Sequence, residues 1–172
     1  QAHARRVYAM LKKNGVKKAI TVDPHTTDML RSVYPKIIPG YDIEVQSYLE
    51  VLADRGMEVR EALDTEVTVH DSCVYARYEN VIDQPRALLR RAGATLAEQP
   101  DSGALTQCCG GPIESLYPGK AKEIARKRLE QLKQSNCGKV AAMCPICLLN
   151  LRRAANGDGV EVKDISEYLV RA

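Results

Sequence analysis

All six cysteines of this 172-residue chain lie after residue 72, and five keep one order: Cys73, the adjacent pair Cys108 and Cys109, then Cys144-x-x-Cys147, with 34 residues in each long gap. Three distant segments must converge if these thiols act together. A tetrahedral zinc ion takes four ligands, so a fifth thiol asks for more than one small ion. Neighbouring side chains of extended backbone point to opposite sides, and the vicinal pair therefore suits a group of several irons better than a single metal. Cys144 precedes Pro145, a favoured first residue of a helix, which makes Cys144 an N-cap and puts Cys147 in the first turn. Both sulfurs then face the positive end of the helix dipole, where thiolate and metal ligation are favoured. Gly110 and Gly111 follow the pair and, lacking Cβ atoms, let backbone N–H groups approach sulfides. Clustered thiols without a signal peptide read as a metal or redox site in a reducing compartment before they read as a disulfide framework.

Composition narrows the class further. Apolar residues make up 45% and charged residues 27%, with no run approaching the roughly 20 apolar residues of a membrane helix, so a globular chain without a transmembrane segment is expected. The net charge of +3 is not gathered into long runs, and the chain has eight Tyr but neither Phe nor Trp, so no nucleic-acid partner is expected. Because residue 1 is Gln, the gene product is expected to start upstream.

Helical and strand patterns alternate. A helix over residues 4–13, a strand over 18–22, a helix from Pro24, a strand over 43–46 and a helix capped by Ser47 with Glu50 make up the first stretch. The order returns 121 positions later, with a helix over 121–133, a strand over 139–143, Pro145 opening a helix, a strand over 160–163 and Asp164 with Glu167 as cap. Shifted by 121, Arg5, Leu11, Lys12, Lys18, Pro24, Leu30 and Arg31 meet identical residues. The expected fold is α/β: two pseudo-symmetric halves from an internal duplication, with short parallel sheets flanked by helices. Between the copies lie a strand over 66–70, a helix near 85–91 and a strand near 95–98. Cys73 and Cys144 then stand at carboxyl edges of strands, where ligands of open α/β sheets gather.

His70-Asp71-Ser72-Cys73, Cys108-Cys109-Gly110-Gly111 and Cys144-Pro145-Ile146-Cys147 together resemble the cysteine-rich CCG domain. That family is shared by heterodisulfide reductases, the iron–sulfur component of glycolate oxidase and related oxidoreductases. The resemblance covers essentially the whole chain. It implies residues 1–60 as the remainder of a degenerate first repeat and residues 61–172 as a complete second one. It further implies one [4Fe-4S] cluster, of non-cubane type, on Cys73, Cys108, Cys109, Cys144 and Cys147, with zinc as a substitute and no catalytic residue beyond the cluster. An iron–sulfur subunit of a heterodisulfide-reductase-like or dehydrogenase complex follows, handling electrons or disulfides beside a ferredoxin-type or flavin partner. Its expected place is cytoplasmic, or membrane-associated through those partners. Where a full first repeat would carry its own ligand pair the chain has Asp23 and Thr26, so that half is expected to be vacant and Asp23 an ordinary helix start.

Other residues read as support. His70 is expected to give a sulfur a hydrogen bond rather than to bind metal, Asp71 to be a turn or cap residue, and Cys137 to be a buried residue outside the site. Arg77 is open between holding an anion and a surface position. The six cations between Lys120 and Lys133 are expected on a solvated face, with docking to an acidic partner as the sharper use. A structural zinc module on four of the thiols and a metal-free thiol–disulfide protein are the rival readings.

Overall fold

The computed structural model describes residues 1–56 and 58–170. The chain runs α1 (Ala2–Lys13), β1 (Lys18–Thr21), α2 (Pro24–Asp28), α3 (Tyr34–Ile37), β2 (Glu44–Ser47), α4 (Tyr48–Arg55) and β3 (Thr65–His70). It continues with α5 (Asp83–Arg91), β4 (Ala94–Leu96), α6 (Pro118–Lys133), β5 (Lys139–Ala142), α7 (Pro145–Ala154), β6 (Glu161–Asp164) and α8 (Ile165–Leu169). Two parallel sheets result, one ordered β1-β2 and the other β4-β3-β5-β6. The α/β class with short parallel sheets flanked by helices is as the sequence led one to expect.

The halves share a hydrogen-bond circuit. In the first, Arg31 Nε donates to the carbonyl of Val45 at 3.0 Å and its guanidinium pairs with Glu50, the residue that completes the Ser47 capping box. In the second, Arg152 Nε donates to the carbonyl of Val162 at 2.8 Å and pairs with Glu167, which completes the Asp164 capping box. Lys18 faces Glu44 in one register as Lys139 faces Glu161 in the other. The likeness of the two halves therefore extends through the caps, but the connection from β5 to β6 is four residues shorter than that from β1 to β2, so matched residues change offset midway.

Alternation along the strands sends side chains to both faces of the larger sheet. Val67, Val69, Ala141 and Met143 pack with Leu88 and Leu89 of α5, Ile165 and Leu169 of α8, and Leu49 of α4, so the first half supplies part of this core. On the opposite face Val140, Ala142 and Val162 meet Ala125, Leu129 and Leu132 of α6 and Leu151 of α7. A third cluster of Ala4, Tyr34 and Ile38 seats α1 on the first half.

Two features depart from the sequence reading. The helical pattern over Met29, Leu30 and Val33 is a π turn between α2 and α3, because Pro35 has no N–H for the carbonyl of Arg31 and the helix widens ahead of it. The helix over 121–133 begins at Pro118, again a Pro in the first turn.

Candidate metal centre

β3 and β5 are neighbours and parallel, so their carboxyl ends open side by side and deliver Cys73 and Cys144 to one edge. β5 passes through Met143 to Cys144, whose extended φ of −126° and ψ of 124° make it the N-cap of α7 with Pro145 directly after. The third segment is tied to the same edge by Asp71. This buried carboxylate holds Arg86 through two hydrogen bonds, of 2.7 and 2.9 Å, and accepts the Gly103 N–H at 2.6 Å. Thr106 Oγ1 donates to the Asp71 carbonyl at 3.0 Å, and Arg77 donates to the carbonyls of Ala104 and Thr106. Asp71 is thus an ion-pair anchor rather than a simple turn residue, and Arg77 stitches the strap that leads to Cys108.

The five thiols form one chain of contacts. Cys73 hydrogen-bonds Cys108, Cys108 its neighbour Cys109, Cys109 reaches Cys147 at 3.0 Å, and Cys147 touches Cys144. The N–H of Gly110 donates to Cys108 Sγ at 3.3 Å and that of Gly111 to Cys109 Sγ at 3.4 Å. Neither glycine can be replaced without movement. Gly110 has φ +80°, and a Cβ at Gly111 would collide with Ile146 Cγ2. Asn150 of α7 donates to the Cys109 carbonyl at 3.2 Å and fixes the vicinal pair from below.

Negative charge gathers on two of the sulfurs. Hydrogen bonds from Cys109 and Cys73, with the Gly110 N–H, pull the Cys108 thiol far below its ordinary value. A hydrogen bond from Cys147, helped by the N–H groups of Cys147 and Ile146 at the start of α7, brings Cys144 down to about 7. Cys108 pushes Cys109 up to about 12 and raises Cys73, and Cys109 with Cys144 raises Cys147. These shifts favour a thiolate at Cys108 and a thiol at its half-buried neighbour Cys73 in the reduced, metal-free chain, and the contrast is tested between pH 6 and 8. Iodoacetamide should label Cys108 at a rate nearly flat over that range, whereas an ordinary thiol gains about tenfold per pH unit. Peptide mapping by mass spectrometry reads this, and a Cys108 rate that climbs with pH like that of Cys73 would contradict it.

His70 ends β3, wholly buried, and one of its ring nitrogens lies within 4.8 Å of the sulfurs of Cys109 and Cys147, which are themselves 3.0 Å apart. Burial, and then the Arg128 charge, hold its pKa down to about 3. Arg128 was missed in the sequence. It counts among the six cations assigned to a solvated face, yet it is 1% exposed, because on α6 it falls on the stripe of Ala121, Ala125 and Leu132 that faces the sheet. That spacing was the available signal. Cys137 lies elsewhere, buried at the opposite end of β5 with its thiol on the carbonyls of Glu66 and Lys139.

The first half also faces the centre. Asp23 caps α2 by accepting the Thr26 N–H at 2.9 Å, so the pair at the equivalent of Cys144 and Cys147 is satisfied within its own turn. Thr27 Oγ1 lies 3.2 Å from Tyr75 Oη, and the Asp23 carboxylate exerts a small upward push on Cys144.

A parallel α/β domain that collects five thiols at the carboxyl edge of its larger sheet offers a set of soft ligands in one place. The cysteine-rich domain family, CCG, matches residues 67–152, and the chain belongs to that family. It is 32% identical to the "Probable iron-sulfur-binding oxidoreductase FadF" of Bacillus subtilis, over 98% of this chain and 24% of that protein. It is 30% identical to the "Probable membrane-anchored ferredoxin" of Chromohalobacter salexigens, over 100% of this chain and 28% of the relative. The "EtfAB:quinone oxidoreductase" of Syntrophomonas wolfei is also 30% identical, over 92% of this chain and 24% of its own length. The chain thus spans about a quarter of the length of these relatives.

Proposed function

We propose that Cys73, Cys108, Cys109, Cys144 and Cys147 hold one iron–sulfur cluster of the non-cubane [4Fe-4S] type, and that the chain is the electron-carrying part of a larger oxidoreductase. The observation that carries the reading is the unbroken contact chain of five thiols, more than one tetrahedral ion uses, with two glycine N–H groups donating to its sulfurs. Soft thiolates suit iron–sulfur chemistry, and a bound cluster would supply one-electron transfer. The protein's share is ligation, hydrogen bonds to sulfur, and a buried wall around Cys109, Cys144 and Cys147 that keeps water from one side while Cys73 and Cys108 lie half-buried toward solvent.

The relatives named as oxidoreductases and as a ferredoxin support an electron-carrying role; the partners proposed for it are a ferredoxin-type or flavin subunit. Among the described residues no helix is long and apolar enough to cross a membrane, so the association implied by one relative's name would come through partners or other segments. Residues 1–60 act as a structural partner to the cluster-bearing residues 61–172, since Asp23 and Thr26 are a helix cap and a hydroxyl where soft ligands would be needed.

Chain purified from cells without oxygen should contain about four irons and four acid-labile sulfides and give an electron paramagnetic resonance signal that dithionite and ferricyanide interconvert with silence. Eight irons would overturn the single site. One zinc per chain and no sulfide would make the domain a scaffold.

A further inference from the structure

Arg128 is the largest wholly buried side chain in the described structure, and no carboxylate forms an ion pair with it among the described residues. Its Nε donates to His70 Nδ1 at 3.2 Å and its Nη1 to Gln131 Oε1 at 3.2 Å, while Nη2 is buried without a hydrogen-bond partner. A guanidinium cannot lose its proton in a protein, so this is a full positive charge in the interior. Such a charge is costly unless something negative lies near. The negative groups near enough to act on it are the carboxylates of Asp71 and Asp101, neither in contact with it, and then the sulfurs of Cys147 and Cys109.

The hydrogen bond also decides where the imidazole carries its proton. Arg128 Nε–H can only donate, so His70 Nδ1 must accept, and the ring hydrogen is left on Nε2. That Nε2 is buried and has no partner in the protein. Two orphaned donor nitrogens, His70 Nε2 with its one hydrogen and Arg128 Nη2 with its two, thus lie near a cluster of thiols whose sulfurs accept hydrogen bonds.

We propose that Arg128 and His70 form a cationic donor arm for the thiol centre: Arg128 locks His70 in the Nε2–H tautomer, His70 gives that hydrogen to a sulfur of the Cys109–Cys147 pair, and the guanidinium charge offsets the negative charge of the centre. His70 is then a donor and not a metal ligand, and Arg128 is a positioning residue acting through it. Resting on the cluster reading above, the arm raises the reduction potential, because a fixed positive charge and an N–H···S bond both favour the more negative, reduced state.

Two measurements test the arm. Nitrogen-15 spectra of the reduced, metal-free chain should show His70 as the Nε2–H tautomer, and those of Arg128→Gln should lose that fixed preference. Potentiometry of the anaerobically loaded chain should show Arg128→Gln shifted downward by at least tenfold in the redox equilibrium, about 59 mV for a one-electron couple. Arg128→Lys, which keeps the charge, should recover most of the loss; if the glutamine form does not fold, the tautomer of the parent decides. An Nδ1–H tautomer in the parent, or an Arg128→Gln potential equal to the parent's, would overturn the arm. Failure to find any cluster would instead overturn the functional reading, and the tautomer would still decide whether the arm exists.

Discussion

Cys109→Ser should strip the chain of iron, sulfide and visible colour, while Cys137→Ser keeps all three. Cys109 is the midpoint of the thiol chain, 3.0 Å from Cys147 and bonded to Cys108 on its other side, so its loss divides the centre in two. A serine hydroxyl is a hard, protonated donor that does not replace thiolate toward soft iron. Losing even a residue outside the ligand set typically costs metal sites 10- to 100-fold in affinity, so iron content after gel filtration should fall by at least about tenfold. Cys137 binds backbone carbonyls at the far end of β5 and has no part in this. Metal analysis and absorption spectra of the two variants side by side check the contrast; the opposite pattern would refute the ligand assignment.

Arg86→Ala should be the most destabilising change outside the thiols, at about 3–5 kcal/mol, because it leaves Asp71 as an unpaired buried carboxylate. Asp71 is 1% exposed at its side chain and Arg86 9%, and solvent screens little of their interaction. The damage reaches the centre, since the same carboxylate holds the Gly103 N–H and so sets the strap that carries Cys108. Urea unfolding of the loaded chain gives the loss. The double variant Asp71→Ala with Arg86→Ala should be less destabilised than the two single losses added, because Glu98, the other carboxylate on Arg86, is 39% exposed and stays hydrated, so that pair leaves no lone buried charge. A single-variant cost below about 1 kcal/mol, the range of exposed pairs, would show that the anchor is not buried in solution.

Much of this was legible because its signals are local. Alternating helix and strand patterns, the Pro residues that open α2 and α7, and the two capping boxes each lie within a few residues of sequence. The cysteine spacing, with the parallel order, was enough to bring Cys73 and Cys144 to one edge. Residue-by-residue matching at one offset ends at Arg31 and Arg152, since the shorter connection before β6 moves Glu167 out of the offset that would relate it to Glu50, and beyond that point only the order of elements and caps carried the likeness. What could not be read depends on pairing across space. Asp71 finds Arg86 across 15 residues and Gly103 across 32, and nothing in composition announces either bond. Arg128 is the instructive miss. A cation on an apolar stripe was counted with its solvated neighbours, although its spacing from Ala121 and Ala125 placed it inward.

Native mass spectrometry of the anaerobically purified 172-residue chain tests the central claim most directly. The account predicts one dominant species whose added mass is that of a single four-iron, four-sulfide cluster, lost in Cys109→Ser and retained in Cys137→Ser. A chain carrying one zinc ion, two clusters, or no metal with Cys109 and Cys147 joined as a disulfide would contradict it.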